Sequence, residues 1–207
     1  MNKKWIDEKI KILDVKLCAF KPNNSDFFFE PTKHIYDKLD SGFDLDLQYV
    51  AREIAYHIGI DFIPNCKYEW GLKMELEVAG QISSSTSSHS IEIPFYYAGR
   101  KYAVGYIIAH EMTHAFLFSK GISLNDSKEN EVFTDLTAIF IGLGKFLMNG
   151  VIVTNEKCDN EGLILGYLSP ELITYCYNSV CEHRDIHNLV ALKNLTPEAM
   201  KSVRNIN

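Results

Sequence analysis

The chain has 207 residues, of which 46% are hydrophobic, and this is enough to build the core of one globular domain of ordinary size. Its formal net charge is −6, and no segment is rich in lysine and arginine. The composition therefore argues against nucleic acid as a main partner.

Signals for export and for membrane insertion are absent from the sequence pattern. The N-terminus has no apolar stretch of the kind that signal peptides carry. The longest apolar run, residues 136–153, is interrupted by Lys145, Asn149 and Gly150 and is too short for a membrane span. The five cysteines form no Cys-x-x-Cys pair, which without an export signal is typical of reduced thiols. We therefore expect a cytoplasmic protein with no membrane partner.

The N-terminal part contains one ambiguous segment and two clearer elements. Residues 5–20 fit either a strand or a helix, and the pattern does not choose between them. Residues 46–58 have apolar side chains at helical spacing and precede Gly59, which predicts an amphipathic helix that ends there. A strand is predicted after Pro64, within residues 62–70.

Two further strands and a loop are predicted next. Strict alternation of apolar and charged residues over 73–78 predicts a strand with one buried face. Serines and a threonine fill residues 83–88, which predicts a flexible polar loop. Residues 91–94 follow as a short strand. Because Pro94 has no N–H to donate to a ladder, we expect this strand at an edge of the sheet.

The segment His110-Glu111-Met112-Thr113-His114 is the most informative in the chain. Its two imidazoles are four residues apart, so on a helix they share one face and can bind one metal ion. Glu111 is displaced around the same helix, where it can reach a water on the metal rather than the metal itself. This H-E-x-x-H arrangement is typical of zinc peptidases.

The residues on both sides of this segment predict a buried helix. Residues 102–109 and 115–118 are almost entirely apolar, and Gly121 is a natural end for the helix. Two core histidines that bond to the backbone are the alternative interpretation. However, burying two imidazoles and a carboxylate without partners is costly, and a metal ion would satisfy them.

Two imidazoles leave a metal ion incompletely coordinated, so the chain must supply a third ligand. A metzincin-type histidine is excluded because Leu117 and Lys120 stand where that pattern needs glycine and histidine, and an aspartate in a short G-x-x-D segment is not evident. Glu131 and Asp135 are four residues apart and would share one face of a following helix. Glu131 can complete a His₂Glu site with an open fourth position, and Asp135 can orient a ligating imidazole. An acidic first turn that stabilises a helix N-terminus is the alternative, and both can hold together.

The motif H-E-M-T-H followed by N-E-V-F-T-D resembles the gluzincin peptidases, the clan typified by thermolysin, and in particular their small bacterial members. The resemblance covers about residues 91–150 and depends on two motifs in the right order at suitable spacing. It implies a ligand set for zinc, a general base and an orienting carboxylate: His110, His114 and Glu131 as ligands, Glu111 as the base, and Asp135 as the partner of His110.

The resemblance also implies how substrate would bind. In gluzincins the strand before the zinc helix lies at the sheet edge and an extended substrate pairs with it, which here would involve Ile91, Glu92 and Ile93. A short edge strand without a ligand is the alternative. A further hydrogen-bond donor to the oxyanion usually lies beyond the third ligand. His183 is our preferred candidate, and four other side chains stay open: Tyr167, Tyr175, Tyr177 and His187.

The second half of the chain is predicted to be mainly helical. Asn149-Gly150 is expected to end the helix that carries Glu131. Ser169-Pro170-Glu171 and Thr196-Pro197-Glu198 each predict the start of a helix, with a capping hydroxyl and proline at the first position.

The predicted fold class is α+β, with a small mixed or antiparallel sheet whose edge strand lies over the active-site helix and the glutamate helix. We expect a single domain over residues 1–207. Within it, 1–70 has no assigned role, 71–150 forms the sheet and the zinc-site core, and 151–207 is helical.

These predictions lead to three functional hypotheses. The first is a zinc-dependent endopeptidase that uses Zn²⁺ as its cofactor and acts on a protein or peptide. The second is the same enzyme kept latent until an unknown regulatory partner releases it. The third is a catalytically silent binding module stabilised by zinc, and Glu111 argues against it because a structural site needs no base there. A fourth protein ligand would favour the silent module.

Overall fold

The structure, a computed structural model, describes residues 1–17, 20–23, 26–70, 81–85, 88–157 and 165–204. Over these stretches the chain forms nine α-helices and three strands. The helices are α1 (Lys3–Lys16), α2 (Lys33–Asp40), α3 (Asp44–Ile58), α4 (Lys101–Ser119), α5 (Ser127–Phe140), α6 (Gly144–Lys157), α7 (Pro170–His183), α8 (Asn188–Leu192) and α9 (Pro197–Arg204). The strands are β1 (Asn65–Glu69), β2 (Gln81–Ser85) and β3 (Ser88–Pro94), and a 3-10 turn, Phe95–Tyr97, follows β3.

The ambiguous N-terminal segment is helical. The Asn2 side chain caps α1 by accepting a hydrogen bond from the Trp5 N–H. Ile6, Ile10 and Leu13 then follow at helical spacing and are buried. The buried face of α1 packs against α5 and α7, so this tertiary contact decides a choice that the local pattern leaves open.

Three predicted helix boundaries are confirmed. Gly59 ends α3 in the left-handed conformation, with a φ of 70°. Ser169 caps α7 through a hydrogen bond from the Leu172 N–H, and the Thr196 hydroxyl accepts one from the Ala199 N–H at the start of α9. At the two N-termini the capping hydroxyl accepts from an amide that the helix leaves unpaired, and at the C-terminus the Gly59 N–H donates to the Ala55 carbonyl.

The sheet is small and mixed, with the strand order β1-β3-β2. β1 runs parallel to β3, and β2 runs antiparallel to it. The prediction that residues 91–94 form an edge strand is therefore wrong, because β3 is the central strand. Pro94 is tolerated because it stands opposite Glu69 at the last pair of the β1 ladder, and the β2 ladder already ends at Glu92.

The serine-rich segment also differs from its prediction. Residues 83–85 belong to β2 and residue 88 begins β3, so much of the predicted loop is sheet. Ser83 pairs with Ser90 in the β2–β3 ladder, although serine is not among the residue types that are enriched in strands. The predicted strand at 73–78 lies outside the described residues.

The helix after α5 continues through the predicted stop. Gly142, with a φ of +94°, follows the end of α5, whereas Gly150 lies inside α6. A Cβ at Gly150 would come within 2.5 Å of the Cβ of Tyr106 and 2.9 Å of the Tyr102 carbonyl oxygen. The glycine thus permits close packing of α6 against α4 rather than ending the helix.

α4 is the central element of the helical part. It packs against α2, α3, α5 and α6, and it also contacts β2 and β3. Most of its side chains are buried, including His110 and Glu111. Within the described residues no single helix is long and apolar enough to cross a membrane, and α5 with residues 144–152 passes that test only as a pair bent by 119°.

Replacing Gly142 with alanine is expected to lower the free energy of unfolding by roughly 3–5 kcal/mol. The φ of +94° is unfavourable for an L residue, and the new Cβ would lie 2.1 Å from the Phe27 carbonyl oxygen and 2.9 Å from Nε2 of His57. The backbone segments at Phe27 and at Gly142 would have to move apart, and this would strain the hydrogen bond that the Phe29 N–H donates to the Gly142 carbonyl. Chemical denaturation of the purified protein measures the change.

Gly99→Ala is the matched control for this substitution. Gly99 has a φ of +78°, but a Cβ there would meet no atom of the described residues within 4 Å. The control therefore isolates the conformational cost, about 1–2 kcal/mol. Equal destabilisation by the two substitutions would contradict the contact that we assign to Gly142.

Candidate metal centre

Three potential ligand atoms from two helices converge at one point. Nε2 of His110 lies 3.1 Å from Nε2 of His114. Oε2 of Glu131 lies 3.0 Å from the first of these nitrogens and 3.1 Å from the second. Among the described residues, these three form the one group of histidine, cysteine and carboxylate side chains with metal-binding geometry. The predicted ligand set is therefore brought together.

The start of α5 positions Glu131. Asp126 caps the helix by accepting a hydrogen bond from the Glu129 N–H, 2.8 Å away. The Asn130 side chain accepts a hydrogen bond of 2.9 Å from the Leu124 N–H and so ties the preceding loop to the helix. Glu129 in turn accepts a hydrogen bond from the Trp5 indole of α1. These contacts fix the first turn of α5, from which Glu131 reaches the histidines of α4.

Each histidine has a partner for its other ring nitrogen. Nδ1 of His110 lies 2.9 Å from Oδ1 of Asp135, the carboxylate that the sequence suggests as its partner. Nδ1 of His114 lies 3.4 Å from the Thr134 hydroxyl, which itself donates to the Asn130 carbonyl. Because a carboxylate and an already donating hydroxyl both act as acceptors, the two Nδ1 atoms carry the protons. In both rings Nε2 is thus the nitrogen that is available to a metal ion, on the side of Glu131.

This arrangement fits a zinc ion. Two nitrogens and a carboxylate oxygen are ligands that zinc prefers, and tetrahedral coordination at ordinary bond lengths separates ligand atoms by about 3.3 Å. The observed separations of 3.0–3.1 Å are close to that value. Three lone pairs that face one another repel unless a cation or protons lie between them. The donor set and its spacing therefore match a divalent cation.

The pKa values in the cluster reflect the same demand for positive charge. Burial disfavours the charged imidazole of His110, but hydrogen bonds to Asp135 and Glu131 and the nearby carboxylates outweigh it and raise its pKa to about 10. Burial likewise disfavours ionised Glu131, but the two imidazoles lower its pKa to about 2. Without a metal, protons therefore supply the positive charge that the carboxylates attract.

Glu111 is buried beside the cluster, with 5% of its surface exposed. Its charge acts on several neighbours. Burial raises the pKa of Cys66 on β1 to about 12, and the charge of Glu111 adds to that increase. The same charge also raises the pKa of His110 and of Tyr106. The predicted base is thus an element of the buried site rather than a surface carboxylate.

Asp135 accepts hydrogen bonds from two groups that the sequence did not suggest. The Tyr106 hydroxyl donates to the same Oδ1 that faces His110, and the Tyr167 backbone N–H donates to Oδ2 at 3.2 Å. Burial and the charge of Asp135 raise the pKa of Tyr106 well above its ordinary value, so its hydroxyl stays protonated and donates. Thr134, Tyr106 and Tyr167 are the site residues that sequence reasoning missed as partners of the ligands. The spacing of Tyr106, four residues before His110, is the available signal for one of them.

The structure does not bring His183 to the cluster. Its Nε2 lies 3.0 Å from Asp14, and its ring packs against Phe140. Phe140 is at the opposite end of α5 from Glu131, about 14 Å along the helix axis. The preference for His183 as the oxyanion donor is therefore not supported by its position, because the end of α7 approaches the wrong end of α5.

Of the other four candidates, Tyr167 alone contacts a ligand in the described structure. Its ring stacks on His110, with 5.7 Å between the centroids, and 40% of its surface is exposed. The others have different partners: Tyr175 donates to Asp7, Tyr177 donates to the Ala191 carbonyl, and His187 caps α8.

The predicted substrate-binding strand is also placed differently. Ile91 and Ile93 are completely buried, and Glu92 lies 3.2 Å from the Lys67 ammonium. Their backbone pairs with β1 at all three positions, and with β2 at Ile91 and Glu92. Within the described sheet, the open edge that substrate pairing would need is therefore absent from β3 at Ile91 and Glu92.

No known protein family, no curated protein and no solved structure matches the chain.

Proposed function

We propose that the chain is a zinc-dependent peptidase of the gluzincin type that hydrolyses peptide bonds in a protein or peptide substrate. The observation that carries the proposal is the convergence of His110, His114 and Glu131, with Glu111 buried next to them. The two histidines and Glu131 would hold the ion. A bound Zn²⁺ would supply a Lewis acid that polarises the carbonyl group and makes a water molecule more acidic.

Glu111 acts as the general base in this proposal. Its carboxylate takes one proton from the attacking water as the water oxygen bonds to the carbonyl carbon. It then delivers that proton to the amide nitrogen as the carbon–nitrogen bond breaks, so the products are a carboxylate and an amine. Burial of Glu111 supports the role, because a carboxylate shielded from bulk water exchanges its proton with the reacting groups rather than with solvent.

Tyr167 replaces His183 as our candidate for the additional donor to the oxyanion. Its ring stacks on His110, and its side chain is partly exposed to solvent. A phenolic hydroxyl in such a position can donate to the oxygen on which negative charge develops.

β2 is the better candidate for pairing with an extended substrate. Among the described strands, β2 has a neighbour on one side, β3, and it contacts α4. A peptide that added to β2 would gain backbone hydrogen bonds and lie beside the helix that carries His110 and His114.

The silent binding module is the competing function. A structural zinc site is normally closed by a fourth protein ligand. In the described part of the chain the group has three members, which leaves one position for substrate or water. This open set favours the peptidase over the module.

Removal of the metal tests the proposal directly. The full chain, loaded with Zn²⁺, is incubated with a mixture of cellular proteins, and new N-termini are identified by mass spectrometry. We expect cleavages that disappear after treatment with a chelator and return when Zn²⁺ is restored, because three convergent ligands lose their function without the ion. Cleavage that persists in metal-free protein would reject a metal-dependent mechanism.

A further inference from the structure

Tyr106 is a fully buried tyrosine whose hydroxyl donates to the carboxylate that holds His110. We propose that Tyr106 is a positioning residue of the metal centre. Its hydroxyl fixes the Asp135 carboxylate against Nδ1 of His110 and thereby holds Nε2 of His110 in place for the ion. The inference depends on the metal centre proposed above, and it assigns to this residue a role in metal affinity.

Packing alone does not explain a tyrosine at this position. The side chain is 2% exposed on a helix whose neighbouring core positions are apolar, such as Val104, Ile107 and Ile108. Phenylalanine would fill almost the same volume without burying a hydroxyl, and a buried hydroxyl costs free energy unless it is hydrogen-bonded. The bond to Asp135 offsets that cost and places the hydroxyl beside the metal centre.

The geometry of Asp135 explains what the hydroxyl does. Its Oδ1 faces both the Tyr106 hydroxyl and Nδ1 of His110, while Oδ2 accepts from the Tyr167 N–H. Donors on both oxygens set the rotation of the carboxylate as well as its position. Without Tyr106, Oδ1 would keep His110 as its one donor, and the orientation of the carboxylate would depend on the ring that it is supposed to orient.

The Tyr106 ring is itself held firmly. Tyr106 and His110 are one helical turn apart on α4, and their rings stack with 5.9 Å between centroids. Gly150 of α6 packs against the Cβ of Tyr106, and a Cβ at Gly166 would lie 3.0 Å from its hydroxyl oxygen. The side chain is thus held at its Cβ by α6, and at its hydroxyl by Asp135 of α5 and by the segment before α7. A donor with so little freedom can determine the position of its acceptor.

Tyr106→Phe tests the inference, with Tyr177→Phe as the matched control. Tyr177 is also fully buried, and its hydroxyl donates to the Ala191 carbonyl at 2.6 Å, so its substitution removes the same group and one hydrogen bond away from the ligands. We expect Tyr106→Phe to weaken Zn²⁺ binding by about 10-fold, the lower end of what loss of an outer partner of a metal ligand causes. Tyr177→Phe should leave the affinity unchanged.

Two further measurements separate a positioning role from a structural one. The visible spectrum of the Co²⁺-loaded protein reports the geometry of the ligands, and it should change in Tyr106→Phe and not in Tyr177→Phe. Thermal unfolding of the metal-free proteins reports the stability of the fold. Its midpoint temperature should fall to a similar degree in both variants. Unchanged Zn²⁺ affinity and an unchanged Co²⁺ spectrum in Tyr106→Phe would overturn the inference.

These readouts also keep the inference distinct from the peptidase proposal. Metal affinity and the Co²⁺ spectrum do not depend on hydrolysis. A Tyr106-dependent metal site in a chain that cleaves no peptide would support the inference while rejecting the peptidase. Chelator-sensitive hydrolysis by the native chain, together with full metal affinity in Tyr106→Phe, would do the opposite.

Discussion

Glu111→Gln is expected to reduce the rate of peptide hydrolysis by about 10²–10⁴-fold and to leave zinc affinity nearly unchanged. Glutamine has almost the same shape, but its amide cannot accept the proton of the attacking water. Glu111 is not part of the convergent ligand group, so the substitution removes a nearby negative charge but no ligand, and zinc should still bind. Steady-state hydrolysis of a substrate found by N-terminal profiling, together with zinc content, measures both effects.

Glu129→Gln is the control for this variant. Glu129 lies on the first turn of α5, two residues from Glu131, and bonds to the Trp5 indole rather than to the cluster. The amide oxygen of glutamine can still accept the Trp5 hydrogen bond, so this substitution removes a negative charge near the cluster without releasing the first turn of α5 and should preserve turnover. Retained hydrolysis in Glu111→Gln would remove Glu111 from the role of base. An equal loss of activity in both variants would mean that the electrostatic potential of the site, rather than proton transfer by Glu111, explains the effect.

Local spacing is sufficient to predict the group of candidate ligands, and tertiary packing decides which residues contact them. His110 and His114 share a helix face whatever surrounds the helix, and Glu131 and Asp135 share another. The meeting of the two faces needed only that α4 and α5 pack together. Tyr167 could not be predicted as a partner of Asp135, because its contact is made by a backbone N–H of an irregular segment distant in sequence.

The wrong predictions in the sheet and in α6 share one physical cause. Both predictions rest on what the residue disfavours, which is ladder hydrogen bonding for Pro94 and helix stability for Gly150. In the structure Pro94 stands at the end of a ladder, and Gly150 removes a side chain where α6 and α4 come close. Such residues are compatible with a central strand or a continuous helix when the tertiary partner needs them there. The residues next to Pro94 and Gly150 in the sequence do not indicate which tertiary partner each will meet.

Lys145, one of the polar residues that interrupt the apolar run, also has a tertiary explanation. Lys145 is completely buried on α6, where its ammonium lies 2.7 Å from Glu30 and donates to the Val190 carbonyl. The lysine therefore belongs to the interior of the fold, and its partners come from segments that are remote in sequence. A buried pair of this kind is costly to break from one side, because the remaining charge keeps its desolvation penalty.

Glu131→Ala is expected to lower zinc affinity by more than the roughly 10–100-fold that loss of an outer partner causes, because it removes a direct ligand. Two imidazoles 3.1 Å apart would be left without the carboxylate that brings negative charge to the ion. Glu131 is on the solvent side of the cluster, with 28% of its side chain exposed, so the fold should tolerate the change. Competition with a chromophoric chelator measures the affinity.

Asp135→Asn completes the comparison for the third ligand. It keeps the shape of the side chain that faces His110 and should weaken zinc binding within that 10–100-fold range, roughly what an orienting partner contributes. The expected order of affinity is therefore native chain, then Asp135→Asn, then Glu131→Ala. Undiminished zinc content in Glu131→Ala would mean that the ion uses a ligand other than the carboxylate that both imidazoles contact.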